Sequence, residues 1–214
     1  MKPIVLSVIV LFAVLFFLRN VFGFFKIMFS AKRPAFRTDQ LFERVKGIFV
    51  YVLGQKRILK NYTWAGIEHF MIFWGFLIIT LGSIEIVVMG YIPGFAIFGF
   101  LGGSAQDMFL LTLDIVQTLV LIALVMGVLN RTVIPSGKRR EVNSIDAVVI
   151  LGMILGLMVT DFGFRASKIA MGLEPSSWLP VSSVWASLFL SDINITTAAF
   201  STEFFYWIHV FLLF

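Results

Sequence analysis

Apolar residues along this chain run in blocks near twenty residues long, parted by short basic, polar or glycine-rich stretches. Blocks of that length without strict alternation read as helices able to cross a ~30 Å hydrocarbon core. Five spans are predicted, at about 4–25, 64–89, 108–129, 145–164 and 198–214, the last incomplete where the sequence stops at Phe214. In lipid only helices or closed barrels satisfy every backbone polar group, and runs this long argue for helices. The expected fold is an all-α integral membrane protein, a five-transmembrane-helix bundle forming one domain over residues 1–214. The apolar run after Lys2 continues to Phe29 with no Ala-x-Ala site behind it, so it reads as a first span rather than a signal peptide. The apolar ending reads as a truncation or as a fragment of a longer chain.

Composition agrees, with 59% hydrophobic residues, 14% charged and a mean hydropathy of +0.98. A pI near 9.7 raises nucleic acid as a partner, but the basic residues sit between apolar blocks and report topology instead. Ten Lys/Arg residues fall between Arg19 and Lys60, and Arg131, Lys138, Arg139 and Arg140 follow the third span. Lys2, Arg165 and Lys168 lie elsewhere, a split of 14 against 3. Those two loops are therefore expected in the cytoplasm, with the amino terminus and the 90–104 and 172–197 loops outside a multi-pass cell (cytoplasmic) membrane protein. Residues 37–46 form either an amphipathic surface helix or a solvated connector. With no cysteine, the chain alone supplies no thiolate for an iron–sulfur cluster or disulfide. Glycine-rich phosphate loops and hydrolase triads are also absent from the sequence.

Both histidines, His69 and His209, lie inside apolar helices, where an ionisable residue is costly and points to function. Neutral imidazole is a usual axial ligand of haem iron. The alternative is a histidine hydrogen-bonded to a neighbouring helix. Counting along antiparallel second and fifth spans brings His69 and His209 to a common level within several ångströms. Small Gly66 and Ala65, with Phe73, Phe76 and Thr80, share the His69 face and would admit a flat macrocycle; a plain core face fits the same residues. Glu85 and Asp114 are candidates for a quinone site or proton route, with a structural role as the alternative. Asp107, Asp146 and Asp161 are expected at interfaces, and Arg57, Lys60, Arg131 and Arg165 as snorkelling side chains or propionate partners.

Gly54-Gln-Lys-Arg57 and Ala65-Gly-Ile-Glu-His-Phe-Met-Ile-Phe-Trp-Gly-Phe76, with Leu113-Asp-Ile-Val-Gln117 and Tyr206-Trp-Ile-His209, carry a resemblance. They resemble the nitrate reductase gamma subunit-like membrane cytochromes b, in the branch fused to heterodisulfide-reductase-like iron–sulfur domains. The resemblance implies five helices holding haem b, with His69 and His209 as axial ligands and Gly66 and Phe73 beside the macrocycle. It also implies electron exchange between menaquinone or another quinone and a cytoplasmic iron–sulfur or electron-transferring flavoprotein partner. Leu59 stands where two-haem relatives carry a further His, so one haem site is expected. The chain would be an electron-transfer component of a quinone-linked oxidoreductase, without a complete active site of its own. The competing readings are a small membrane transporter and a cofactor-free membrane anchor.

Overall fold

The computed structural model describes residues 2–30, 39–61, 63–133 and 145–214, and these fold into helices joined by turns. Among the described residues four helices are long and apolar enough to cross a membrane: Lys2–Phe29, Trp64–Met89, Gly103–Leu129 and Val148–Ala170. That is the pattern of a multi-pass membrane protein. The fifth expected span is helical over Ile195–Leu213 but carries Glu203 and His209 and falls outside that set. The helices are α1 (Lys2–Phe29), α2 (Leu41–Gly47), α3 (Lys56–Asn61), α4 (Thr63–Met89), α5 (Gly103–Val133), α6 (Ile145–Ala170), α7 (Pro180–Phe189) and α8 (Ile195–Leu213).

The chain divides into two compact units, residues 1–66 with Phe214 and residues 67–213. In the first, α1 is apolar on every face from Val8 to Leu18 and buries only Leu6, as a lipid-facing helix would. Helix α2 continues into a π-helical turn over Ile48–Leu53, and Asp39 pairs with Arg44 at 2.9 Å. The expected surface helix at 37–46 is thus helical from Leu41; Arg37 and Thr38 lie outside the described residues, as do Lys138, Arg139 and Arg140.

In the second unit α4 and α5 run antiparallel. Gly82 faces Leu113, Gly75 faces Val116 and Val120, and Gly127 faces Glu68. Gly75 and Gly82 are seven residues apart, two turns, so one stripe of α4 lets the facing helix approach closely. Ile79, Phe109, Leu113, Val120, Leu124 and Met158 form the core beside this seam. Helices α6 and α8 pair the same way, through Gly156 against Leu212, Gly163 against Phe205 and Ser167 bonded to Ser201 at 2.8 Å. A Cβ on Gly163 would stand 2.6 Å from three carbons of the Phe205 ring. Gly163→Val is therefore expected to wedge α6 from α8 and cost about 1–3 kcal/mol as overpacking. Thermal unfolding in detergent checks this; an unchanged midpoint would mean that α8 does not pack here.

The stretch expected to be a simple outer loop holds α7. Gly172, at φ +71°, ends α6, with Gly172 N–H donating to Ile169 O at 2.9 Å and Leu173 N–H to Lys168 O at 2.9 Å. This glycine-dependent stop turns the chain back so that Glu174 lies over the last turns of α6. Pro180 then starts α7, where its missing N–H costs nothing.

Candidate functional site

His209 is fully buried, and both ring nitrogens face hydroxyls: Nδ1 lies 3.0 Å from Thr160 Oγ1 and Nε2 lies 3.0 Å from Ser83 Oγ. The Thr160 hydroxyl donates its one proton to the carbonyl of Gly156 at 2.8 Å, shared with Leu157 at 3.1 Å. With that proton on the carbonyls, the Thr160 oxygen is open to accept from Nδ1–H, and in that tautomer Nε2 accepts from Ser83 Oγ. That tautomer orients the ring through Nδ1–H with its Nε2 lone pair toward α4, the polarity a metal-ligating histidine also needs.

The second expected ligand is elsewhere. His69 lies on an exposed face of α4, fourteen residues from Ser83. Fourteen residues are roughly 21 Å of helix at 1.5 Å per residue. The expected common level is corrected by the register of the helices. Helix α4 is 27 residues long. Its far end, not its start, meets the His209 level. As placed, the two histidines do not fit one shared haem.

The neighbours assigned to that haem are also placed otherwise. A Cβ on Gly66 would stand 2.9 Å from Ile58 O and 3.1 Å from Leu59 Cα, so this glycine serves the close approach of the preceding turn. Phe73 is half-buried and meets Trp74 edge-on at 6.1 Å. Ala65 and Phe76 are exposed, and Thr80 donates to Phe76 O at 2.7 Å. Arg57 and Lys60 are exposed.

A buried charge cluster lies near the end where α4 finishes and α6 stops. Arg165, expected to snorkel, is fully buried among three carboxylates. Its nitrogens lie 3.3 Å from Asp161, 3.7 Å from Glu174 and 3.8 Å from Glu85. Asp161, expected at an interface, is buried here and accepts a hydrogen bond from Gln117 Nε2. Glu85 accepts from Ile97 N–H at 2.9 Å and Gln106 Nε2 at 2.8 Å. Lys168 closes the group on Glu174 at 2.5 Å. Glu85 thus belongs to a network joining α4, α5, α6 and two connecting turns.

Asp114 does different work. One carboxylate oxygen accepts from Val181 N–H at 2.6 Å, the other from Ser182 N–H at 3.1 Å and Ser182 Oγ at 2.5 Å. A buried carboxylate on α5 caps the positive end of α7. Asp107 is half-buried, and the Asp146 and Arg131 side chains lie outside the described residues.

Ser83, Thr160, Gln106, Glu174, Lys168 and Ser182 were absent from the sequence-based site. Two signals pointed to part of it. Asp161 and Arg165 stand at i and i+4, and Gly156, Thr160, Gly163 and Ser167 line one small-residue face of α6. Among the described residues no three His, Cys, Asp or Glu side chains are grouped to hold a metal ion.

Among the described residues the fold and site thus define an all-helical architecture with membrane-length helices and buried polar networks. Over 176 residues it is 30% identical to the probable iron-sulfur-binding oxidoreductase FadF of Bacillus subtilis (strain 168). The match takes in 82% of this chain and 24% of that protein, so the chain spans about a quarter of its relative's length. No family model matches the chain, and no solved structure matches it.

Proposed function

We propose that this chain is the membrane module of an iron–sulfur oxidoreductase, moving electrons between a quinone in the cell membrane and an iron–sulfur or flavoprotein partner. The similarity to FadF, which covers four-fifths of the chain, carries this reading. The absence of cysteine sends any thiolate-held cluster to a partner or to sequence beyond these residues. In the proposed five-span topology the basic 19–60 and 131–140 segments face the cytoplasm. That puts the Arg165 cluster toward the outer side, with Glu85 and Asp161 near any site of quinol proton release.

Haem b is the carrier proposed for the histidines. His209 offers one ring nitrogen facing α4 for an axial bond, but His69 does not face it. The same placement favours a second reading, a cofactor-free anchor for a redox partner. Reduced-minus-oxidised spectra of the purified protein separate the two. The haem reading expects a b-type band that His209→Ala abolishes; a colourless wild type sinks it and leaves the anchor. Loss of the band in His69→Ala as well would restore the shared pair. The wider proposal is tested by quinol-dependent reduction of a co-purified partner in proteoliposomes, and fails if the reduction proceeds equally without this chain.

A further inference from the structure

Helix α7 sits deep for a connecting segment. Its cap, Asp114, lies eleven residues inside α5 from Gly103. Its Trp185 stacks on Phe162 of α6 at 5.7 Å, eight residues before Ala170. At 1.5 Å per residue these contacts lie roughly 12–16 Å below the helix ends. Gly163, Ala166, Trp185, Phe189 and Phe205 line one apolar cleft of about 260 Å³, so α8 meets the same level. Headgroups occupy only some 5–8 Å of each side of a bilayer, which leaves α7 within the hydrocarbon.

Its chemistry suits that depth. Pro180–Phe189 contains no charged residue. Backbone polar groups in lipid need internal partners, and the two amides at its start have Asp114. All three serine hydroxyls of α7 are likewise satisfied within the protein. Ser182 Oγ donates to Asp114, Ser183 Oγ to Leu179 O at 2.6 Å and Ser187 Oγ to Val184 O at 2.9 Å. Ser182 and Ala186 face inward, while Val184, Leu188 and Phe189 are 54%, 69% and 66% exposed.

We infer that α7 is a re-entrant helix, dipping into the bilayer from the end where α4 finishes and α5 begins, with Val184, Leu188 and Phe189 against lipid hydrocarbon. Helices that stop within the membrane need such a buried cap at the broken end. The inference rests on membrane embedding and not on electron transfer.

The cysteine-free chain gives a direct test. Val184→Cys, Leu188→Cys, Ile92→Cys and Val125→Cys are spin-labelled singly in the full chain, reconstituted in liposomes, and probed with oxygen and a polar nickel chelate. All four positions are exposed, so the label needs no buried space, and Ile92 lies in the turn beyond the end of α4. Labels at 184 and 188 are expected to collide freely with oxygen and about tenfold less than position 92 with the chelate, which is excluded from hydrocarbon. Chelate access at 188 equal to that at 92 would overturn the inference by placing α7 in water. Exclusion of both reagents would overturn it too, by placing a protein surface over α7. Position 125, on α5, separates the causes: chelate access there as well means that membrane embedding has failed.

Discussion

Replacing Arg165 with methionine is expected to unfold or grossly destabilise the 67–213 unit. The guanidinium is fully buried and stands 3.3–3.8 Å from Asp161, Glu174 and Glu85. With every group ionised, three carboxylates against Arg165 and Lys168 sum to −1, and removal of Arg165 makes this −2. Buried charges lose their hydration and are tolerated only when paired, so breaking one member of such a group costs about 3–5 kcal/mol. Stability of a whole domain is commonly about 5–15 kcal/mol. Thermal unfolding of the detergent-solubilised protein should therefore show a large fall in the midpoint. Neutralising a stranded partner should return part of it, in Arg165→Met/Glu85→Gln or Arg165→Met/Asp161→Asn. Arg44→Ala is the control, because the Arg44–Asp39 pair is solvent-exposed and such pairs contribute little. A midpoint in Arg165→Met no lower than in Arg44→Ala would show that the cluster does not hold the unit together.

This cluster shows how far the sequence could be read. Helix-length apolar blocks identify α1, α4, α5 and α6 because the bilayer sets the length of an apolar run. Segment ends are read less well: α5 starts at Gly103 and α6 runs to Ala170, since helices of 26 to 31 residues extend beyond the apolar windows. Helix α7 reads as a loop in the sequence because ten residues with three serines and a proline resemble one until Asp114 supplies the missing cap. The histidines show the limit most clearly. Their burial cost was legible from composition, but their pairing depends on the register between α4 and α8, and nothing local encodes register. His209 lies opposite Ser83 because Gly156 and Gly163 fix α8 against α6 through side-chain volume. Arg165 was misread for a related reason. Nearness to a helix end suggests snorkelling, and only the turn at Gly172 reveals that Glu174 folds back over it.

Asp114 can be tested for both roles open to it. As the cap of α7, its removal in Asp114→Ala strands the amides of Val181 and Ser182 and the hydroxyl of Ser182 in a buried site. Caps contribute about 0.5–2 kcal/mol and each stranded buried polar group costs about 1–3 kcal/mol, so a loss near 3 kcal/mol is expected. It should be local. Hydrogen exchange across 180–190 should accelerate strongly, while the α4–α5 seam, held by Gly75, Gly82 and Leu113, keeps its protection. Asp114→Asn retains one oxygen acceptor and should fall between wild type and Asp114→Ala. A proton-carrying role predicts another pattern: Asp114→Asn, which cannot exchange a carboxyl proton, would block quinol-linked electron transfer while α7 stays protected. Loss of protection graded from Asn to Ala assigns the carboxylate to the fold. Unchanged exchange at 180–190 in Asp114→Ala would refute the cap, and with it the reason for a charge at this depth in α5.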